Sequence, residues 1–274
     1  MNKDKTASKP QIIYEDKNFL AIDKPAGLLV HPAKSKIKNQ KSKIFEKSGS
    51  ESVLTDWLLK RYPEIKKVGD DPENRPGIVH RLDRETSGVM IVAKNQEYFE
   101  YLKSLFKNRQ IKKTYVALLW GDVKPETGVV DKPIGIKDGT VRRSVHSAKM
   151  KKEAVTKYRV MRYFELKTAA FGEPRVGREN LKLKTYGVGV FSLVEVEPLT
   201  GRTHQIRVHM ASIGHPVLGD KIYGPRKASY STGRLMLHAL SLEFVSTDGQ
   251  MIKLEAGLPD DFNESMNRLE LPGV

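Results

Sequence analysis

The chain contains no cysteine, which excludes disulfides, thiolate nucleophiles, iron–sulfur clusters and cysteine-ligated zinc together. Any covalent chemistry must use oxygen or nitrogen. No stretch approaches the roughly 18 apolar residues of a membrane-crossing helix, and the opening residues, MNKDKTASKPQ, carry charge without the apolar run of a secretory signal. A cytoplasmic location is expected. Acidic residues are the scarcer charge: Lys+Arg 48 against Asp+Glu 33 leaves +15, which suggests a polyanionic partner. There is no repeat at a fixed period. The 274 residues, 39% of them hydrophobic, suffice for one large domain or two small ones with a sizeable core.

The basic excess is clustered. Residues 34–50 carry six Lys and one Glu, residues 103–113 five basic and no acidic residues, and residues 137–157 seven basic against two acidic. Each run alone reads equally well as a solvated surface. Three in one chain favour nucleic acid, and none has the wide apolar stripe of a membrane-surface helix.

Residues 1–10 are polar and expected as a disordered tail. From Gln11, two apolar runs flanking Glu15-Asp16-Lys17-Asn18 predict a hairpin, which Lys24-Pro25-Ala26-Gly27 breaks. A mobile basic loop is expected at 34–50 and a helix near 52–62. From Gly77 the pattern GIV, HRLDRETSG, VMIVA reads as strand, loop, strand. Asn95 caps a helix with Tyr98, Leu102, Leu105 and Phe106 on one face, followed by a strand within 111–121. Short strands and loops occupy 122–186, with 171–186 reading as an insertion. Strands return at 187–198, where valines alternate with Glu195 and Glu197, and at 234–245. Between these, Thr203 caps a helix carrying Ile206, Met210 and Ile213 inward, with Gly214 at its left-handed end. Strands outnumber helices and come in runs, so the expected class is α+β, mixed and mainly antiparallel. Residues 11–260 are expected as the catalytic domain and 261–274 as a C-terminal tail.

Two polar knots stand out. In the first, His80-Arg81-Leu82-Asp83-Arg84-Glu85-Thr86-Ser87-Gly88 lies between apolar strands, the kind of loop on a rigid scaffold that carries function. Asp83 reads either as a turn residue bonding the backbone near Thr86 or as a carboxylate kept ionised by Arg81 and Arg84, which could also meet phosphates. The second knot is Gly201-Arg202-Thr203-His204-Gln205-Ile206-Arg207-Val208-His209. On a helix His204 and Arg207 share a face, as do Gln205 and His209. His204 and His209, five apart, cannot form a zinc clip. This knot reads as a surface helix with a paired arginine or as a helix start that donates to RNA phosphates.

The segments KPAGLLVHP at 24–32, HRLDRETSG at 80–88, KTYVALLWG at 113–121, LTGRTHQIRVH at 199–209, GHPVLGDKIYG at 214–224 and LMLHALSLEF at 235–244 closely resemble the RluA-type pseudouridine synthases, in order and over most of residues 12–245. The resemblance implies a curved, mainly antiparallel sheet flanked by helices and loops, with a central catalytic cleft. It implies an isomerase that breaks the glycosidic bond of a uridine in RNA, rotates the uracil and rejoins the ribose to C5. Nothing is added or removed, so no cofactor and no metal is implied. Asp83 matches the catalytic carboxylate, as nucleophile or as base toward a ribose proton. Arg207 matches the basic partner that forms an ion pair with it. Tyr115 matches the ring on which a flipped base stacks, the alternative being an ordinary strand aromatic.

Arg81 is the candidate wedge that fills the gap left by the flipped uracil, or else a structural ion-pair residue. Its neighbours His80 and Arg84 complete an RNA-binding loop, and Arg202 and His204 are expected on the RNA backbone. His31, His146, His215 and His238 read as structural or peripheral. Many relatives carry an S4-type RNA-binding domain ahead of the KPAGL motif, and none is expected here. Lys36, Lys38, Lys41 and Lys43 of the 34–50 loop, with Arg142 and Arg143 of the 137–157 segment, are then expected to grip ribosomal or transfer RNA. A monomer without membrane or obligatory protein partner completes the expectation. A catalytically silent RNA-binding protein is the competing class. A metal-dependent nuclease lacks its ligand spacing, and a cysteine-dependent uridine methyltransferase fails on composition.

Overall fold

The structure is a computed structural model that describes residues 9–32, 53–137, 142–147, 149–165, 189–225 and 230–270. The loop at 34–50 with Lys36, Lys38, Lys41 and Lys43, and the insertion expected at 171–186, lie outside the described residues. The chain divides into two compact units, Met1–Gln110 and Ile111–Val274, where the sequence suggests a single domain over 11–260.

In the first unit, β1 (Gln11–Glu15) and β2 (Phe19–Lys24) form the expected antiparallel hairpin. Its turn is closed by Asp16, whose Oδ1 accepts the N–H groups of Asn18 and Phe19 at 2.7 and 2.8 Å, an aspartate supplying locally what the ladder cannot. On its other side β2 pairs antiparallel with β3 (Ser87–Ala93), Phe19 opposite Ala93 and Lys24 opposite Gly88. Both are buried along almost their whole length, so they read as apolar runs rather than alternations. Gly77-Ile78-Val79 does not form a strand. Gly77 sits at φ 69° and only Ile78 bridges to Val92. Helices α1 (Leu54–Arg61) and α2 (Gln96–Lys107) complete the unit. Asn95 caps α2, its Oδ1 accepting the Tyr98 N–H at 2.8 Å, and Tyr98 stacks on Phe19 of β2.

The second unit is built on an antiparallel sheet. Across it run β10 (Leu237–Val245), β4 (Lys112–Trp120), β9 (Val190–Pro198), β8 (Val155–Glu165) and β5 (Thr127–Asp131), with β11 (Met251–Glu255) on the other side of β10. On β9 the alternation expected from sequence is present, Val194 and Val196 buried, Glu195 turned out to Arg159 at 3.1 Å. A short ribbon, β6 (Gly135–Ile136) with β7 (Arg143–Ser144), stands apart from this sheet. Helix α3 (Gln205–Ser212) packs on β8 and β9. The C-terminal residues expected as a tail instead form α4 (Asp260–Glu270), with Phe262 and Leu269 in the same core cluster as Trp120 and Phe191. The architecture is α+β and mainly antiparallel, as expected.

Candidate active site and RNA-facing elements

In the first unit the HRLDRETSG loop alternates between interior and solvent. Leu82 is buried, Arg81 and Arg84 are exposed, and Asp83 between them is half-buried. The turn closes through the main chain, the Thr86 N–H donating to the Asp83 carbonyl at 3.2 Å. His80, expected on RNA, is turned inward: its ring stacks on Phe106 at 4.5 Å and its Nε2 accepts the Ile91 N–H at 2.9 Å. It anchors the loop to β3 and α2.

The other end of the loop is latched to the KPAGL turn. Lys24, with no exposed surface, donates from Nζ to the carbonyls of Pro25 and Leu28, both at 2.9 Å, and of Arg84 at 3.2 Å. Two more bonds join the same segments, Gly27 N–H to the Arg84 carbonyl and Arg84 Nε to the Gly27 carbonyl. A buried ammonium must meet acceptors, and here they are backbone oxygens of the KPAGL turn and of the HRLDRETSG loop. Nothing local to the KPAGL motif marks Lys24 for this part, since one of its acceptors lies 60 residues away.

Arg81 donates from Nη1 to His31 Nε2 at 3.3 Å, while His31 Nδ1 lies 3.0 Å from the Pro32 carbonyl. A carbonyl only accepts, so Nδ1 carries the proton and Nε2 is the acceptor. Burial, with the Arg81 cation adding to it, lowers the His31 pKa against the opposing Pro32 bond, which keeps that acceptor available. His31, expected as peripheral, is the partner of the candidate wedge.

In the second unit Tyr115 is half-buried on β4, with Val196 and Ala239 opposite it on the flanking strands. Arg207 of α3 is 2% exposed. Its Nε and Nη2 donate to Asp220 at 2.7 and 2.9 Å, a bidentate fork in a carboxylate that has no exposed surface. Burial pushes the Asp220 carboxyl up, but the Arg207 guanidinium and the N–H groups of Tyr223 and Ile222 outweigh it and hold the pKa below the ordinary value. Asp220 stands in the GHPVLGDKIYG motif 13 residues from Arg207, a separation that no local pattern marks. The Tyr223 ring faces the same guanidinium, 5.4 Å from its carbon. The Tyr223 hydroxyl accepts the Arg143 backbone N–H at 3.1 Å and lies 2.9 Å from His204 Nδ1.

The start of α3 corrects the expected cap. His204, at φ 57°, occupies the N-cap position without a side-chain cap bond, and Thr203 makes none. Gln205 does the work from inside the first turn: its Oε1 accepts from Arg202 N–H and Thr200 Oγ1, and its Nε2 donates to the Val155 carbonyl and to Thr156 Oγ1. His209 Nε2 meets the Lys132 carbonyl at 2.9 Å, so Nδ1 is its acceptor and takes the Thr156 hydroxyl proton. Arg202 is tied by Nε to the Glu153 carbonyl. Arg142 is exposed just ahead of β7, and the buried Nε of Arg143 meets no acceptor among the described residues. His215 donates from Nδ1 to the Trp120 carbonyl at 2.8 Å, a structural role. Among the described residues no three His, Asp or Glu side chains gather as a metal's ligand set.

The antiparallel scaffold with its carboxylate loop and forked arginine has relatives. Its fold matches that of human RNA pseudouridylate synthase domain containing 4, with a TM-score of 0.64 and 27% identity over 96% of this chain and 94% of that one. A Bacillus subtilis protein named an uncharacterized RNA pseudouridine synthase YlyB is 34% identical over 96% of this chain and 73% of its own length. The ribosomal large subunit pseudouridine synthase D of Pseudomonas aeruginosa is 36% identical over 92% of this chain and 69% of its own. The sequence pattern of the RNA pseudouridylate synthase family covers residues 18–212. The chain belongs to that family, within its RluA type, and is an isomerase of uridine in RNA.

Proposed function

We propose that the chain converts uridine to pseudouridine in ribosomal RNA, with Asp83 as its catalytic carboxylate and the target base flipped out of its stack. The observation that carries this reading is the family pattern across residues 18–212, which includes Asp83, Tyr115 and Arg207. Ribosomal RNA is the substrate class in the name of the Pseudomonas relative. Asp83 attacks C1′ or removes a ribose proton. In either case the N1–C1′ bond breaks, a C5–C1′ bond forms, the C5 hydrogen leaves as a proton and the freed N1 ends protonated, so atoms balance without a further reactant. Tyr115 offers the ring against which the freed uracil is held, and Arg207 supplies positive charge to the ionised carboxylate's reaction. Arg81 at the exposed edge of the loop fills the vacated position in the RNA. Arg142, Arg143, Lys149, Lys151 and Lys152 hold phosphates, a role supported by the exposure of Arg142 and the three lysines.

The test is release of tritium from ribosomal and transfer RNA labelled at uridine C5. Wild type releases it from ribosomal RNA, and Asp83→Asn, isosteric but neither nucleophile nor base, loses at least about 10²- to 10⁴-fold in rate. Release from transfer RNA alone would move the substrate class. RNA binding with no release from either pool would leave a silent binder.

A further inference from the structure

The turn that follows α3 is shaped around one side chain. Asp220 accepts the N–H groups of Ile222 and Tyr223 on Oδ1 at 2.8 and 3.0 Å, so its carboxylate is aimed by its own backbone. Glycines on either side make that turn possible. Gly219 lies at φ 77°, where a Cβ would run into the Arg234 carbonyl oxygen, and a Cβ on Gly224 would strike the Asp220 carbonyl that its own N–H reaches at 3.0 Å. Into this frame Arg207 sends its Nε and Nη2. The carboxylate fixes one edge of the guanidinium and the Tyr223 ring lies against its face, so rotation and tilt are both restrained.

Stability is a weak reason for such a device. Desolvating two charges costs about what their attraction returns, and apolar side chains of similar volume often hold a core as well or better. A buried pair makes sense where a charge must stand in one orientation at that point. We propose that Asp220 and Tyr223 are positioning residues for the reaction, orienting the Arg207 guanidinium through an in-plane fork and a facing ring. Neither touches substrate. The inference rests on the reading of Arg207 as part of the isomerisation machinery, and it places their effect on rate rather than on RNA affinity.

The experiment is single-turnover tritium release with enzyme in saturating excess over ribosomal RNA, by wild type, Asp220→Asn and Tyr223→Leu, with filter binding of the same RNA and a thermal melt for each. Asp220→Asn keeps the shape but turns an amide N–H toward the guanidinium. Its rate constant is expected to fall about 10- to 100-fold, and that of Tyr223→Leu about 3- to 10-fold, the scale of catalytic-group misplacement. Affinity stays within about twofold and the rate is not restored by more enzyme, since a merely structural loss would reduce the fraction of competent molecules, which a higher enzyme concentration makes good. If Asp220→Asn fails to fold, Tyr223→Leu decides alone. A folded variant turning over within about twofold of wild type, or a loss confined to affinity or made good by more enzyme, overturns the assignment. A wild type that binds but releases nothing overturns the reading of the reaction itself, and the positioning role with it.

Discussion

His238 gives the sharpest pH prediction. It lies on β10 opposite Val116 with no exposed surface, and its Nε2 donates to the Ala256 carbonyl at 3.1 Å. Burial is the largest influence on its pKa, the Arg234 cation adds to it, and the Ala256 bond and Asp261 oppose; the result is a fall from 6.5 to about 4. The folded chain therefore keeps His238 neutral where the unfolded chain takes a proton. A depressed pKa contributes fully above the unfolded value and is lost as pH falls toward the folded one, so the window runs from about 6.5 down to about 4. The difference corresponds to about 3 kcal/mol across the whole window, and about 2 kcal/mol at pH 5. That is a large part of the stability of an ordinary domain. The perturbation is His238→Gln, whose amide can still donate to Ala256 but does not titrate. Urea unfolding of both proteins at pH 7.5 and pH 5 isolates the effect, because His31 and His209, also depressed by burial, are common to both. Wild type should lose about 2 kcal/mol more than the variant between the two pH values. Equal losses would refute the neutral, buried imidazole.

Lys24→Met leaves the carbonyls of Pro25, Leu28 and Arg84 without their ammonium donor; at about 1 kcal/mol for each lost acceptor, urea unfolding should show a loss of about 3 kcal/mol, and a change under about 1 kcal/mol would contradict the latch. Replacing Lys149, Lys151 and Lys152 together with glutamine should weaken RNA binding and lower the slope of log affinity against log salt by about 2 units, at about 0.7 per single-strand phosphate contact. An unchanged slope would remove these lysines from the RNA grip.

Local features were legible and distant partnerships were not. The β1–β2 hairpin, the Asn95 cap and the Val194 to Glu197 alternation each follow from residues adjacent in the chain, so the sequence carries them openly. Helix α4 is polar in composition and so resembles a tail, yet Pro259 ahead of Asp260 and Asp261, with Phe262, Met266 and Leu269 at helical spacing, is an amphipathic signal. No such signal marks Asp220 as the partner of Arg207, or Lys24 as the latch on Arg84, 60 residues away. These pairings exist only once turns bring remote segments together, and a motif can hold the residue without disclosing its use. His80 illustrates the converse: its place in a polar knot suggested RNA, and the fold turns it onto Phe106 and Ile91.

Helix α3 explains why a two-faced reading failed at the second knot. All six residues from Gln205 to Met210 are buried, so the helix has no solvent face along that stretch, and Gln205, Arg207 and His209 alternate with Ile206, Val208 and Met210. Each buried polar group then needs a partner or it costs stability. Gln205 and His209 obtain theirs from Thr156, which accepts from one and donates to the other, while Arg207 obtains Asp220. The left-handed His204 belongs to the same economy: at a cost of about 1 kcal/mol or more for a non-glycine residue, it turns the chain so that Gln205 can reach back to Arg202 and Thr200. A helix meant only to fill the core would carry aliphatic side chains at 205, 207 and 209 and need none of this. Gln205 and His209 tie the helix to Val155, Thr156 and Lys132, and within the helix so held Arg207 keeps its fork on Asp220 and its face against Tyr223.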